Sequence, residues 1–244
     1  MINYYNDIDF VEEDRLCAYI EDVPSDIRYK FMERCTIAEY QELLERGWRR
    51  FGRLHFTPVC KNCDKCVSMR ILVDEFEFSK SNKRTISKNQ NTKLVIKRPS
   101  VTMEHLALYD KYHLKMSEKK GWSYSQIDPL EYKRSYVNGA YEYGYEFLYF
   151  SDSVLIGVAL VDILPNSISS IYCYYDHDYE DLSIGKFSIL MQLKIAKNLN
   201  IPYIYLGYWI QNHKDMGYKE LYKPFEVLTN RVELDTKPTW RRYE

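Results

Sequence analysis

The chain has 244 residues and is almost neutral, with 34 Lys plus Arg against 35 Asp plus Glu. Hydrophobic residues make up 45% of it, while Gly and Pro number only 9 and 8, which excludes a disordered, collagen-like or disulfide-scaffold chain. The longest uncharged apolar run, Val154–Val161, is too short to cross a bilayer, and no basic segment precedes an apolar stretch at the N-terminus. We therefore expect a folded cytoplasmic protein with no membrane partner.

The N-terminal part of the chain gives few periodic signals. Its first 35 residues are predicted to form an irregular arm. Thr36 is predicted to start a helix, because Glu39 three residues later completes a capping box, and Gly47 is predicted to end it. Strands are predicted over Met69–Phe78 and Leu94–Lys97.

The C-terminal part alternates helix and strand patterns. The predicted elements, in chain order, are a helix over Thr102–Lys120, a helix from Asp128 to Gly139, strands over Tyr145–Phe150, Val154–Leu164 and Ile168–Tyr175, a helix over Ser183–Leu199 and a strand over Ile201–Leu206. Turn residues between the first three strands predict an antiparallel meander. The pattern predicts an α/β (α+β) fold in which helices cover a mixed sheet. We predict a cysteine-containing N-terminal region over 1–75 and a larger domain over 76–244.

Two basic clusters stand out against the neutral total. One runs from Ser79 to Arg98 without an acidic residue, and the other contains Arg46, Arg49, Arg50 and Arg53. Each could be an ordinary solvated face. Because the two clusters flank a cysteine motif, together they favour an anionic partner.

Three cysteines have the spacing of metal ligands. Cys60, Cys63 and Cys66 form C-x-x-C-x-x-C, and Cys17 lies upstream. A reducing compartment favours metal binding over disulfides, so these four thiols could hold zinc or an iron–sulfur cluster. The alternative is a set of buried structural cysteines.

A second group of candidates lies around the end of the third meander strand. Tyr174 and Asp176 are at the strand end, and Ser183 and Gly185 begin the next helix. A glycine at a helix start allows backbone N–H groups to approach a phosphate. Close packing explains one such glycine equally well.

A third group follows the last predicted strand. Leu206–Ile210 reads LGYWI, with Tyr208 and Trp209, and is followed by Lys214, Tyr218 and Lys219. Aromatic residues interleaved with lysines are suited to stacking on bases and contacting phosphates. Aromatic residues near a sheet are also common in cores.

At this point the ordered motifs resemble a known family. TIAEYQELLERGWRRFGRLHFTPVCKNCDKCVSMRILVDEF, SKSNKRTISKN, SIYCYYDHDYEDLSIGKFSILMQLKIAKNLNIPYIYLGYWI and MGYKELYKPFEVL are similar to the aminoacyl-tRNA–protein transferases. Within these, the chain resembles the bacterial aspartate/glutamate leucyltransferase branch from about Cys17 to Trp240. It departs from the branch's usual residues at His177, Lys186 and Leu221-Tyr222.

The resemblance implies a GNAT-like domain that transfers leucine from charged tRNA to proteins beginning with Asp or Glu, marking them for degradation through the N-degron pathway. It implies no cofactor for the chemistry itself, and we expect a monomer. By motif position, the family's cysteines correspond to Cys17, Cys60, Cys63 and Cys66. Its substrate- and tRNA-binding segments contain Arg70, Lys83, Arg84, Lys88 and Asn89, together with Tyr208, Trp209, Tyr218 and Lys219.

The reaction that this family implies sets requirements on particular residues. An acidic acceptor needs Arg or Lys, and Arg70 is our hypothesis for that contact. The amine needs only a mild base, for which we propose Asp176. The alternatives are an arginyl-tRNA–protein transferase, a GNAT-type acetyl-CoA acetyltransferase and a metal-organised RNA-binding module.

Overall fold

The structure, a computed structural model, describes residues 8–243. This part of the chain forms twelve strands and five α-helices. The strands are β1 (Ile8–Leu16), β2 (Pro24–Phe31), β3 (Arg49–Phe51), β4 (Leu54–Pro58), β5 (Val67–Leu72), β6 (Lys93–Lys97), β7 (Gly144–Ser151), β8 (Val154–Leu164), β9 (Ser167–Tyr175), β10 (Tyr203–Trp209), β11 (Phe225–Leu228) and β12 (Trp240–Tyr243). The helices are α1 (Ile37–Glu45), α2 (Lys80–Lys88), α3 (Met103–Lys120), α4 (Pro129–Tyr132) and α5 (Ile184–Asn198).

The strands form two sheets. A four-stranded sheet has the order β1-β2-β4-β3, and an eight-stranded sheet has the order β12-β11-β5-β10-β9-β8-β7-β6. In the described part of the chain, β9 and β10 are the one parallel pair, and the other neighbours are antiparallel. This confirms the predicted α+β mixed sheet with flanking helices and the predicted meander β7-β8-β9.

The prediction of an irregular N-terminal arm was wrong. Beyond the first seven residues, which lie outside the described part, the arm forms the antiparallel hairpin β1-β2. All nine residues of β1 are exposed, so the strand shows no apolar–polar alternation that a sequence reading could detect. Its pairing with β2 is what makes it a strand.

Two other elements differ from the prediction. β5 ends at Leu72, where the chain turns, and does not continue to Phe78. The basic segment contains α2, which was not predicted because its apolar positions are few. A hydrogen bond from the backbone N–H of Asn82 to the hydroxyl of Ser79 caps that helix.

The eight-stranded sheet is covered on both faces. On β7, Phe147 and Tyr149 pack in the core under α5, while Leu148 between them packs in a second core with α3. A third core joins α1 to the sheet through Tyr40 and Tyr205. The division at residue 75 stays a prediction. β5, which precedes that boundary, lies between β11 and β10 in the larger sheet.

A buried ion pair connects the two sheets. Arg50 of β3 donates from Nε to the carboxylate of Asp162 on β8 at 2.8 Å, and both side chains are almost completely buried. Because water cannot solvate either charge there, each depends on the other.

We therefore expect Asp162→Ala to lower the free energy of unfolding by about 3–5 kcal/mol, since it leaves Arg50 charged and buried. Chemical denaturation measures this loss. Arg53→Ala is the control, because its pair with Glu33 is exposed and should be worth under about 1 kcal/mol. Equal losses in the two variants would contradict the assignment.

Candidate active site where two parallel strands part

The parallel pair β9 and β10 separates after a short paired stretch. The strands pair through Ser167–Ser169 and Tyr203–Tyr205, and from there β9 continues to Tyr175 and β10 to Trp209 without pairing to each other. The carboxyl-terminal halves of the two strands therefore diverge, and we call the space between them the cleft. In open α/β sheets, ligands bind outside the carboxyl ends of parallel strands, and β9 and β10 form the parallel pair in the described part of this sheet.

Arg49 occupies the point of separation. Its guanidinium donates to the hydroxyl of Ser169 at 3.1 Å and to the carbonyl of Ser170, both on β9. On the β10 side it lies against Gly207, where a Cβ atom would be 3.4 Å from Arg49 Nε. Gly207 has a φ of +79°, a conformation that favours glycine, and this accounts for the glycine in LGYWI.

Lys219 lies close to Arg49. It belongs to a 3₁₀ turn after β10, is 6% exposed, and donates from Nζ to the carbonyl of Tyr208. Burial and the charge of Arg49 lower the pKa of Lys219 to about 7. Within residues 8–243, neither cation has a carboxylate at ion-pair distance. The cleft thus contains two buried basic groups without a counter-ion.

The aromatic residues of LGYWI are part of the core. Tyr208 donates its hydroxyl to the carbonyl of Gly47 at 2.9 Å, and the Trp209 ring packs against Phe225 and Tyr243. The proposed stacking on bases is therefore not open to these two rings in this arrangement. The following Lys214 and Tyr218 are exposed.

The structure brings together two groups of predicted site residues, the basic segment that forms α2 and the residues at the start of α5. Asn89, at the end of α2, donates to the carbonyl of Leu182 at 2.7 Å, and Lys88 contacts the carbonyl of Asp181 at 3.3 Å. Lys186 near the start of α5 donates to Ser81 of α2 at 2.9 Å. The exposed Lys83 and Arg84 therefore lie on a helix packed against the start of α5.

The residues at the start of α5 are explained by packing. At Gly185 a Cβ atom would lie 3.1 Å from the ring of Tyr175, so the glycine allows that ring to pack closely. Ser183 has a left-handed backbone and makes no side-chain capping bond. Tyr174 is fully buried, with its hydroxyl 2.5 Å from that of Tyr132.

Asp176 follows β9 and is held by two contacts. Its carboxylate accepts from Lys111 Nζ at 2.7 Å and from the backbone N–H of Asp178 at 3.0 Å. Lys111 comes from α3 and is half exposed, so the pair lies at the edge of the protein.

Arg70 already has a carboxylate partner. Its Nε donates to Glu226 at 2.7 Å, and its guanidinium lies between the rings of Tyr203 and Trp240, at 3.9 and 4.2 Å from their centroids. An acidic acceptor would have to displace Glu226 from this contact. Among the described residues, Arg49 has no carboxylate partner that an acceptor would have to displace.

The second basic cluster is not the solvated face that was one of its two interpretations. Arg46, Arg49 and Arg50 are buried and make hydrogen bonds within the protein, and only Arg53 of the four is appreciably exposed. An arginine side chain is long enough to reach carbonyls and carboxylates in the core. A run of buried arginines therefore has the same sequence pattern as a basic surface.

The four candidate metal ligands are neighbours in the structure. Burial raises the pKa of the Cys66 thiol to about 11, and the nearby Cys17, Cys60 and Cys63 contribute to this shift. In the described part of the chain, no three or more His, Cys, Asp or Glu side chains are arranged to hold an ion. Zinc or an iron–sulfur cluster there stays a prediction, and no step of the reaction is assigned to it.

Two family models match most of the chain. "Arginine-tRNA-protein transferase, N terminus" matches residues 15–84, and "Arginine-tRNA-protein transferase, C terminus" matches residues 104–229. The chain belongs to the arginine-tRNA-protein transferase family. No helix in the described residues is long and apolar enough to span a membrane.

Relatives within this family are similar over nearly their whole length. Aspartate/glutamate leucyltransferases of Helicobacter hepaticus and Campylobacter jejuni (strain 81116) are 44% identical, covering 97% of this chain and 98% and 99% of theirs. One from Pseudomonas syringae pv. syringae is 31% identical over 91% of this chain and 94% of its own. The crystal structure of FemX has a TM-score of 0.47 at 11% identity, covering 79% of this chain and 65% of that one, a likeness too distant to argue from.

The buried charge of Lys219 has a consequence for stability. Below pH 7 the folded protein carries a buried ammonium, whereas above the pKa of an unfolded lysine near ~10.4 both states are neutral. The free-energy cost of burying the Lys219 ammonium in the folded state therefore declines as pH rises between these values. We expect Lys219→Met to stabilise the protein most near pH 6.5, with the advantage over wild type falling by about 1 kcal/mol per pH unit between pH 7 and 9.

Parallel denaturation curves of the wild type and Lys219→Met measure that difference, and other titrating groups cancel. An advantage that is constant across this range would show that Lys219 is not perturbed.

Proposed function

We propose that this enzyme transfers leucine from leucyl-tRNA to the α-amine of proteins that begin with Asp or Glu. The similarity to named aspartate/glutamate leucyltransferases, at 44% identity over nearly the whole of both chains, carries this conclusion. The cleft between β9 and β10 supports it, because it offers buried basic groups to an acidic acceptor.

The chemistry is aminolysis of an activated ester. The acceptor's α-ammonium first loses a proton, and the free amine attacks the carbonyl carbon of the leucyl ester. A C–N bond forms, the C–O bond to the terminal ribose breaks, and the ribose oxygen leaves with the second proton of the amine. Because the ester is already activated, positioning supplies much of the acceleration and the chemistry calls for no cofactor.

The charged tRNA is proposed to lie along the exposed basic helix α2. Lys83 and Arg84 are exposed there, and Lys186 of α5 adds a third cation beside them. Contacts of this kind with phosphates release counterions, so binding of leucyl-tRNA should weaken steeply with salt. The exposed Lys214 and Tyr218 are further candidates for contact with the acceptor end.

The cellular role follows from the substrates. An N-terminal leucine placed on an acidic N-terminus would mark the protein for degradation through the N-degron pathway. We propose a cytoplasmic monomer that uses charged tRNA and acceptor proteins as its partners.

Transfer assays with purified protein test this function. They combine leucyl-, phenylalanyl- or arginyl-tRNA with peptides that start with Asp, Glu or Ala. We expect leucine on the Asp and Glu peptides only. Transfer of arginine would keep the mechanism but overturn the donor, and acetylation from acetyl-CoA without transfer from tRNA would overturn the function.

Asp176 is our proposed base for the first proton. Because Lys111 pairs with its carboxylate, the pair must open for proton transfer, and the half-exposed Lys111 can leave it. We expect Asp176→Asn to slow single-turnover transfer by about 10²–10⁴-fold, the usual contribution of such a group. Rapid-quench measurement with saturating substrates gives this rate.

Lys111→Met is the matched variant, since it removes the ion pair with Asp176, together with the exposed pair to Asp178, but keeps the Asp176 carboxylate. It should transfer leucine at least as fast as the wild type. If both variants lose the same activity, the ion pair is structural and Asp176 is not the base.

A further inference from the structure

Buried cations in this protein fall into two classes. Four Lys or Arg residues are buried in the described part of the chain: Arg46, Arg49, Arg50 and Lys219. Arg46 is paired with Glu42 and Arg50 with Asp162. Arg49 and Lys219 have only a hydroxyl and backbone carbonyls as partners.

An uncompensated buried charge is expensive, and two adjacent charges of one sign add mutual repulsion. A protein that keeps such a buried pair has a site in which an anion would relieve both costs. Both cations also keep donors to spare. A guanidinium has five N–H groups and an ammonium three, of which the observed bonds use only some.

The pair is also held in position. Arg49 is fixed to β9 by Ser169 and Ser170 and rests against Gly207 on β10, while Lys219 is tied to β10 through the carbonyl of Tyr208. The two cations therefore lie close together where the strands separate. A carboxylate placed between them could take two hydrogen bonds from the guanidinium and one from the ammonium.

We propose that Arg49 and Lys219 together bind the side-chain carboxylate of the acceptor's first residue. This proposal rests on the proposed function, which supplies an acceptor beginning with Asp or Glu. The low exposure of both cations, 7% for Arg49 and 6% for Lys219, suits a single side chain better than a chain of phosphates. The exposed cations Lys83 and Arg84 of α2 suit the phosphates.

The same arrangement explains how neutral acceptors are rejected. Asn and Gln have nearly the shape of Asp and Glu, but they would enter the cleft without neutralising either cation. Buried charges left unpaired penalise binding more strongly than a lost contact does. The cleft thus selects acceptors by charge and accepts both side-chain lengths.

The test compares kcat/KM for peptides that differ only in Glu or Gln at the first position, with leucyl-tRNA as donor. We expect Arg49→Gln and Lys219→Met each to reduce the Glu-over-Gln preference by about 10- to 100-fold, as loss of a charged hydrogen bond would. The dissociation constant of leucyl-tRNA should stay as in the wild type. Arg53→Gln, an exposed arginine a few residues from Arg49, is the control and should leave the preference unchanged.

Each other outcome overturns the inference. Weaker leucyl-tRNA binding with an unchanged Glu-over-Gln preference would assign the pair to a phosphate. An equal loss on both peptides, with normal tRNA binding, would assign it to the transition state. If Arg49→Gln does not fold, Arg49→Lys and Lys219→Met decide the question, because the former keeps the charge and the latter removes an unfavourable one.

Failure of the function itself would look different. In that case wild-type protein would transfer no leucine to either peptide. Leucine transfer by the wild type with unaltered discrimination in every variant would leave the function intact and refute only the role of Arg49 and Lys219.

Discussion

The position of the Arg49 guanidinium is the constraint on which the cleft depends. β9 and β10 pair for three residues and then lie apart, with Arg49 bonded to Ser169 and Ser170 on one side and against Gly207 on the other. A larger residue at Gly207 would have to adopt an unfavourable backbone conformation. Arg49 therefore contacts both strands and places a positive charge between them.

The exposed and the buried cations around the cleft are suited to different parts of the substrates. Cations on the exposed helix α2 can contact a polyanion that remains largely in water, where attraction is salt-dependent. Arg49 and Lys219 are buried, where charge is expensive and selective. The buried pair Arg50–Asp162, immediately beside Arg49 in sequence, holds β3 against the eight-stranded sheet and so fixes the strand that carries Arg49. Arg50, which has a buried carboxylate partner, thus contributes to stability. The adjacent Arg49, which has no carboxylate partner, contributes to specificity.

The sequence predicted the regular elements of the larger sheet well, because caps such as Thr36 and breakers such as Gly121 are local signals. It failed for β1, whose residues are all exposed, and for α2, whose positions are mostly polar. In the site, motif position indicated Lys219 but could not reveal that it is buried. Arg49 was read as part of a basic surface, since burial of an arginine depends on Ser169 and Gly207, which are more than a hundred residues away in the chain. Likewise, the partner of Arg70 is Glu226, a contact that no local pattern encodes.

The most direct test of the buried cation pair is the pKa of Lys219 itself, measured by NMR of 13C-labelled lysine with Lys219→Arg to assign the signal. In the free enzyme the pKa should lie near 7, because burial and Arg49 oppose protonation more strongly than the nearby Cys66 favours it. Saturation with a Glu-initiated peptide should raise this pKa, because a carboxylate then stabilises the ammonium, while the Gln-initiated peptide should not. A pKa that is ordinary in the free enzyme, or that responds equally to both peptides, would contradict the account.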